Sequence, residues 1–104
     1  MTKNYLLIYS EQLAKEIELL CQNRKASPNT LFQISKSSSS IYANIRETNY
    51  GQSKADMLSK FEIALKECSE TEGCLQLLYN TKGIDETTYR KIRCRVRSIC
   101  APTR

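Results

Sequence analysis

The sequence contains no histidine and no tryptophan. Without histidine it lacks the side chain that most often acts as a general base near neutral pH and most often ligates transition metals. A di-iron helical bundle, which needs Glu-x-x-His motifs, is excluded on the same ground. Glycine and proline are scarce, at 3 and 2 of 104 residues, whereas a sandwich or barrel needs a turn signal roughly every 8 to 12 residues. All-β architecture is not expected. No run approaches the roughly 18 apolar residues of a membrane span, and the stretch before Glu11 is too short for a signal peptide with its small-residue cleavage site. The 5 cysteines, Cys21, Cys68, Cys74, Cys94 and Cys100, are odd in number and widely spaced, which matches neither a zinc pattern nor a small secreted disulfide framework. The expectation is a soluble cytoplasmic protein with no membrane contact, no metal, no cofactor and no small-molecule substrate.

The chain is 40% hydrophobic and 26% charged, a balance typical of one folded domain. Three breaks divide it. Ser27-Pro28 reads as an N-cap followed by proline at the first helical position. Gly51 ends one segment, and Ser53 with Asp56 opens the next as a capping-box variant. Lys82-Gly83 then ends a helix, and Asp85-Glu86 places acids at the start of another. The four segments, approximately residues 4–22, 28–50, 53–81 and 85–100, all carry helical periodicity. Leu6, Leu13, Ile17 and Leu20 form the first stripe, with Tyr9 beside it. Leu31, Ile34, Ser38, Ile41 and Ile45 form the second. Leu58, Phe61, Leu65, Cys68, Leu75 and Leu78 form the third, and Tyr89, Ile92, Val96 and Ile99 the fourth. These predict an all-α, antiparallel up-down four-helix bundle. The third helix would run about 40 Å at 1.5 Å per residue. Its shorter outer partners leave apolar stripe uncovered, and self-association is the simplest remedy.

The run Ser37-Ser38-Ser39-Ser40 falls inside the second stripe, so it reads as helix rather than linker. Small hydroxyl residues at Ser37, Ser38 and Ser40 would let a neighbouring backbone approach closely while bonding back to carbonyls one turn earlier; Ser39 should point outward. Asn44, beside the core stripe, is expected to bond a neighbouring helix.

The stretch Gln33-Ile34-Ser35-Lys36-Ser37-Ser38-Ser39-Ser40-Ile41-Tyr42-Ala43-Asn44-Ile45-Arg46-Glu47 resembles the Q-L-x-R-S-G-T-S-I-G-A-N-I-x-E helix of a bacterial four-helix-bundle family. That family includes the proteins encoded in intervening sequences of large-subunit (23S) ribosomal RNA genes. The third helix is similar to the family independently, through Gln52-Ser53-Lys54-Ala55-Asp56, Ile63-Ala64-Leu65-Lys66-Glu67 and Glu70-Thr71-Glu72. The resemblance covers roughly residues 30 to 85. It implies an up-down bundle, often a homopentamer, with no enzymatic activity. A related branch, the accessory proteins of diversity-generating retroelements, implies basic pentamers that bind nucleic acid and a reverse transcriptase. This chain departs from the pattern at Lys36 (family Arg), at Ser38 and Tyr42 (family glycines) and at Gly73-Cys74 (a family aromatic pair). Measured from Gly51, Tyr42 and Gly73 would lie about 20 Å apart along the bundle axis, too far for one to compensate the other.

The same height argument pairs Lys36 with Glu67 or Glu70, and Glu47 with Lys54. Glu67 and Glu70 could also be read as an acid/base pair, but no nucleophile, histidine or metal constellation accompanies them; Glu67, Glu70 and Glu72 together could hold a hard cation, though ordinary helix-surface charge is the expected reading. As exposed ion pairs each would contribute under about 1 kcal/mol. Cys68 and Cys100 fall on core stripes as small apolar fillers, and Cys94 falls opposite.

Net charge is +5. Arg90, Lys91, Arg93, Arg95, Arg97 and Arg104 face only Asp85 and Glu86 in the last 20 residues. Arg90, Arg93 and Arg97 flank one side of the fourth apolar arc, and Lys91 and Arg95 the other. Such an array suits nonspecific contact with the phosphates of RNA or a nucleoprotein. Interleaved stacking aromatics are missing from this helix, since Tyr89 belongs to the core stripe, so sequence-specific readout is not expected. The alternative is a protein-interaction scaffold whose arginines cover the core or pair with a neighbouring subunit.

Overall fold

A computed structural model describes residues 2–22, 25–50 and 53–100. Four α-helices follow one another in the chain: α1 Thr2–Leu20, α2 Pro28–Thr48, α3 Lys54–Asn80 and α4 Glu86–Cys100. Three of them start on side-chain caps. Ser27 accepts from the Thr30 amide at 3.5 Å with Pro28 at the first helical position, and Ser53 accepts from the Asp56 amide at 3.1 Å. Asp85 accepts from the Thr88 amide at 2.8 Å. Each cap satisfies an amide that the helix itself leaves without a partner. Gly51 and Arg104 lie outside the described residues.

The end of α3 differs from the expected cation-plus-glycine stop in one respect. The left-handed residue is Lys82, with φ 63°. Its amide donates to the Tyr79 carbonyl at 3.0 Å, and the Gly83 amide donates to the Leu78 carbonyl at 2.8 Å, the paired bonds of a Schellman motif. Gly83 serves close approach instead. A Cβ there would stand 3.1 Å from the Ala26 Cβ and 3.2 Å from the Leu78 carbonyl oxygen.

The helices stand at the corners of a square: α1 packs on α2 and α4, and α3 packs on α2 and α4. One core fills the centre, built from Leu13 and Ile17, Ile34 and Ile41, Leu75 and Leu78, and Ile92, Val96 and Ile99. Each such side chain stabilises the fold by about 1.5–3 kcal/mol on burial. The stripes on α1, α2 and α4 supply this core as their spacing predicts, with Leu6, Tyr9, Leu20 and Tyr89 half-buried at its edge.

On α3 the expected stripe is wrong over its first half. Leu58 is 59% and Leu65 38% exposed, and Phe61 is only half-buried. The buried arc is Ala64, Cys68, Thr71, Leu75 and Leu78. Apolar residues occupy both 64 and 65, and the neighbours select the smaller one. Cys100, the last described residue of α4, stands beside Cys68, nearly three turns from Leu58, so no described residue of α4 covers Leu58.

The heights of expected pairs also need correcting. Ser37 meets Thr71 at 2.7 Å, and Glu47 meets Lys60 at 2.9 Å. Both pairs are centred near residue 54, not 51, so the first turns of α3 project past the end of α2 at Thr48. Shifting the centre by three residues moves every expected partner by six, about 9 Å along the axis. Lys54 is therefore not the partner of Glu47. On the same centre Tyr42 and Gly73 are about 10 Å apart, and a Cβ at Gly73 would meet nothing within 4 Å.

Candidate nucleic-acid interface

The basic helix α4 is amphipathic, and its cations emerge on both sides of the buried Ile92, Val96 and Ile99. On the α1 side, Arg95 Nε donates to Glu16 Oε1 at 2.8 Å and its Nη1 to Gln12 at 3.0 Å. Lys91 Nζ lies 3.7 Å from the other Glu16 oxygen. On the α3 side, Arg97 donates through Nε and Nη2 to one Glu72 oxygen at 3.2 and 3.1 Å. Arg90 pairs with Glu86 of its own helix at 2.6 Å. Arg93 lies over the Tyr89 ring, 5.8 Å from its centroid.

These contacts change what the helix can do. Five cations face three carboxylates of the same chain, leaving a local excess of two. Arg95 and Arg97 act as clasps that hold α4 to α1 and α3, and a phosphate would have to compete with Glu16 or Glu72 for them. The Arg95–Glu16 clasp is the drier of the two, since the Glu16 side chain is only 18% exposed. Tyr89 stacks on Tyr79 at 4.4 Å and donates to Gln76 at 2.6 Å, so it offers no free face to a base. Glu16 and Gln12 carry no motif, and the Glu70-Thr71-Glu72 stretch does not mark what Glu72 meets, so only the fold reveals these three as partners of α4.

The hydroxyl stretch on α2 is divided by depth. Ser37 and Ser38 are buried, Ser40 is half-buried and Ser39 is exposed. Ser37 reaches the Ile34 carbonyl oxygen at 3.2 Å as well as Thr71, and Ser38 donates to the Ser35 carbonyl at 3.2 Å. Asn44 does not bond a neighbouring helix. Its amide donates to the Ser40 carbonyl at 2.8 Å and to the Ser40 hydroxyl at 3.2 Å, because at one turn's separation the nearer acceptors lie on its own helix. Thr71, Ser10 and Thr48 are buried hydroxyls that apolar periodicity does not mark.

Lys36 and Glu70 are exposed and Glu67 is half-buried. Among the described residues no ion pair within 4.0 Å joins Lys36 to either carboxylate, because the hairpin is centred three residues later than Gly51. Burial and the neighbouring Glu70 raise Glu67 above the ordinary carboxylate range, and Lys66 and Lys36 offset this in part. Burial also places Cys68 in the core, where its hydrogen bond with Cys100 pushes the thiol up. Cys94 is exposed. Among the described residues no group of three or more Cys, Asp or Glu side chains is placed to hold a metal ion, and no helix is long and apolar enough to cross a membrane.

The family described as 23S rRNA-intervening sequence protein matches residues 6–102. Among solved structures, the chain is similar to a protein with unknown function from the S23 ribosomal protein family of Bacteroides thetaiotaomicron. The two are 36% identical over 97% of this chain and 93% of that one, with a TM-score of 0.88. No curated protein matches the chain.

Proposed function

The chain belongs to the 23S rRNA-intervening sequence protein family, and from that premise we propose that it is a non-enzymatic, self-assembling helical bundle that offers basic surface to RNA or a nucleoprotein partner. Five copies are the assembly that the family resemblance suggests. The observation that carries the reading is the bare first half of α3. Leu58 and Leu65 stand open to solvent beside half-buried Phe61, on a helix of 27 residues whose neighbour α4 has 15. A contiguous apolar face of this kind marks an interaction site, and a second copy of the same chain is the occupant this reading assigns to it. Net charge of +5 supports the nucleic-acid part of the reading, since excess positive charge draws polyanions through counterion release.

The intramolecular pairing of Arg90, Lys91, Arg95 and Arg97 favours the second reading, a protein-interaction scaffold with no nucleic-acid role. Retention of generic structured RNA across a salt series separates them. Affinity that falls with salt supports RNA contact, and no retention at low salt supports the scaffold.

A further inference from the structure

Phe32, Lys36, Ser39, Ala43 and Arg46 follow one another along α2 at spacings of four, three, four and three, and Tyr50 continues the spacing in the turn beyond. All six are exposed, Phe32 at 63% and Tyr50 at 74%. The arc lies between the two flanks by which α2 is packed. On one flank Ser35 donates to Glu18 of α1 at 3.0 Å, and on the other Ser37 meets Thr71 of α3. From Phe32 to Tyr50 the line is about 27 Å long.

The six residues of the arc carry two cations and no acid, and exposed Glu47 borders it beside Arg46. Among the described residues neither Lys36 nor Arg46 has a carboxylate within 4.0 Å, in contrast to the cations of α4. Of the acids around the arc, Glu47 is engaged with Lys60 and Glu18 with the Ser35 hydroxyl, and Glu67 acts on Lys36 only from beyond ion-pair distance. Pairing the arc with the same arc of a second copy would set Lys36 against Lys36 in a parallel approach, or against Arg46 in an antiparallel one. Neither pairing sets a carboxylate of the arc against these cations, so a two-fold contact of the arc with itself is disfavoured and a polyanion is favoured. Exposed aromatic rings set beside cations that hold no ion pair are the elements by which proteins hold single strands, bases stacking on the rings and phosphates meeting the cations. Inside a duplex the base faces are covered by their neighbours, so the rings have nothing to stack on.

We propose that this face of α2 is a track for single-stranded RNA, with Phe32 and Tyr50 as stacking platforms, Lys36 and Arg46 as phosphate contacts, and Ser39 and Ala43 as a low floor between them. The proposal rests on the reading that the chain contacts RNA, and it places that contact away from the α4 clasps. At about 3.4 Å per stacked nucleotide the track would hold about eight nucleotides.

The test is fluorescence anisotropy with a labelled mixed-sequence 12-nucleotide RNA, its duplex, and polyglutamate of equal charge, together with light scattering on each protein. Full-length wild type should prefer the single strand to both alternatives. F32A and Y50A should each weaken single-strand binding about tenfold without changing its salt slope. The double variant K36Q/R46Q should lower the slope of log affinity against log salt by about 0.7 for each phosphate no longer neutralised. All variants should keep the wild-type mass. The proposal is overturned if F32A and Y50A bind as wild type does, or if the duplex or polyglutamate binds as tightly as the single strand. It is equally overturned if the variants lose assembly together with RNA, which would place this face between copies. Wild type that binds neither nucleic acid removes the underlying reading, and that result is visible before any variant is made.

Discussion

Ser37 Oγ and Thr71 Oγ1 lie 2.7 Å apart in the buried interface between α2 and α3, and each also approaches a carbonyl of its own helix, Ile34 at 3.2 Å and Glu67 at 2.9 Å. Two hydroxyl protons serve three contacts. The shorter carbonyl bond assigns the Thr71 proton to Glu67, so Ser37 donates to Thr71. Thr71→Val keeps the shape and removes the acceptor, and Ser37→Ala removes the donor; each should cost about 1 kcal/mol. The double variant should cost less than the two together, because no hydroxyl is then left facing an apolar partner. Denaturant midpoints check this, and simple additivity would contradict it.

Depth along the serine run sets a second expectation. Ser38 is 1% exposed, so Ser38→Leu should overpack the interface at a cost of about 1–3 kcal/mol. Ser39 is exposed, and Ser39→Leu should leave the melting temperature nearly unchanged. Equal melting temperatures for the two would show that the run is not a packed face.

The clasps of α4 should differ in strength with their exposure. A double-mutant cycle on Arg95 and Glu16 should give a coupling of about 1 kcal/mol, and one on the more exposed Arg90 and Glu86 less than about 0.5 kcal/mol. In the same series, replacing Arg90, Arg93 and Arg97 together by Glu should lower the melting temperature. The changes at positions 97 and 90 set a second carboxylate against Glu72 and Glu86, and the change at 93 removes the cation over the Tyr89 ring. Equal couplings in urea titrations would show that the Glu16 clasp has no special depth.

Glu67 supplies a pH dependence with a definite sign. Its carboxyl is raised in the folded state by burial and by Glu70, so folding favours its protonated form. That contribution is fully present below the unfolded carboxylate pKa and is lost as pH rises through the raised folded value. Glu67→Gln should therefore raise the melting temperature at pH 7 and leave it unchanged at pH 3. A variant less stable than wild type at pH 7 would contradict the sign.

What is legible in the chain is local. The caps at Ser27, Ser53 and Asp85 act within three residues, and the α2 stripe from Leu31 to Ile45 has a single apolar solution, so both read directly. On α3 the apolar pair Ala64 and Leu65 offers two arcs one residue apart, and packing against α2 and α4 decides between them. Cross-helix partners depend on where the hairpin turns. A difference of three residues in that centre separates Lys36 from Glu67 and puts Lys60, not Lys54, against Glu47. The partner of Arg95 is farther still, since Glu16 lies 79 positions away and nothing near either residue announces the other. Phe32 lies off the Leu31–Ile45 stripe and Tyr50 beyond its end, but that both rings stand exposed on one face shows only once α2 has its neighbours.

Self-assembly rests on the bare face of α3 being covered by other copies of the chain, and light scattering across micromolar concentrations measures this without an intermediate step. The expected result is a stable mass several times the 12.0 kDa of one chain, with Leu58→Glu shifting it downward. A mass of 12.0 kDa at every concentration would show that the face stays open and that the chain does not self-assemble.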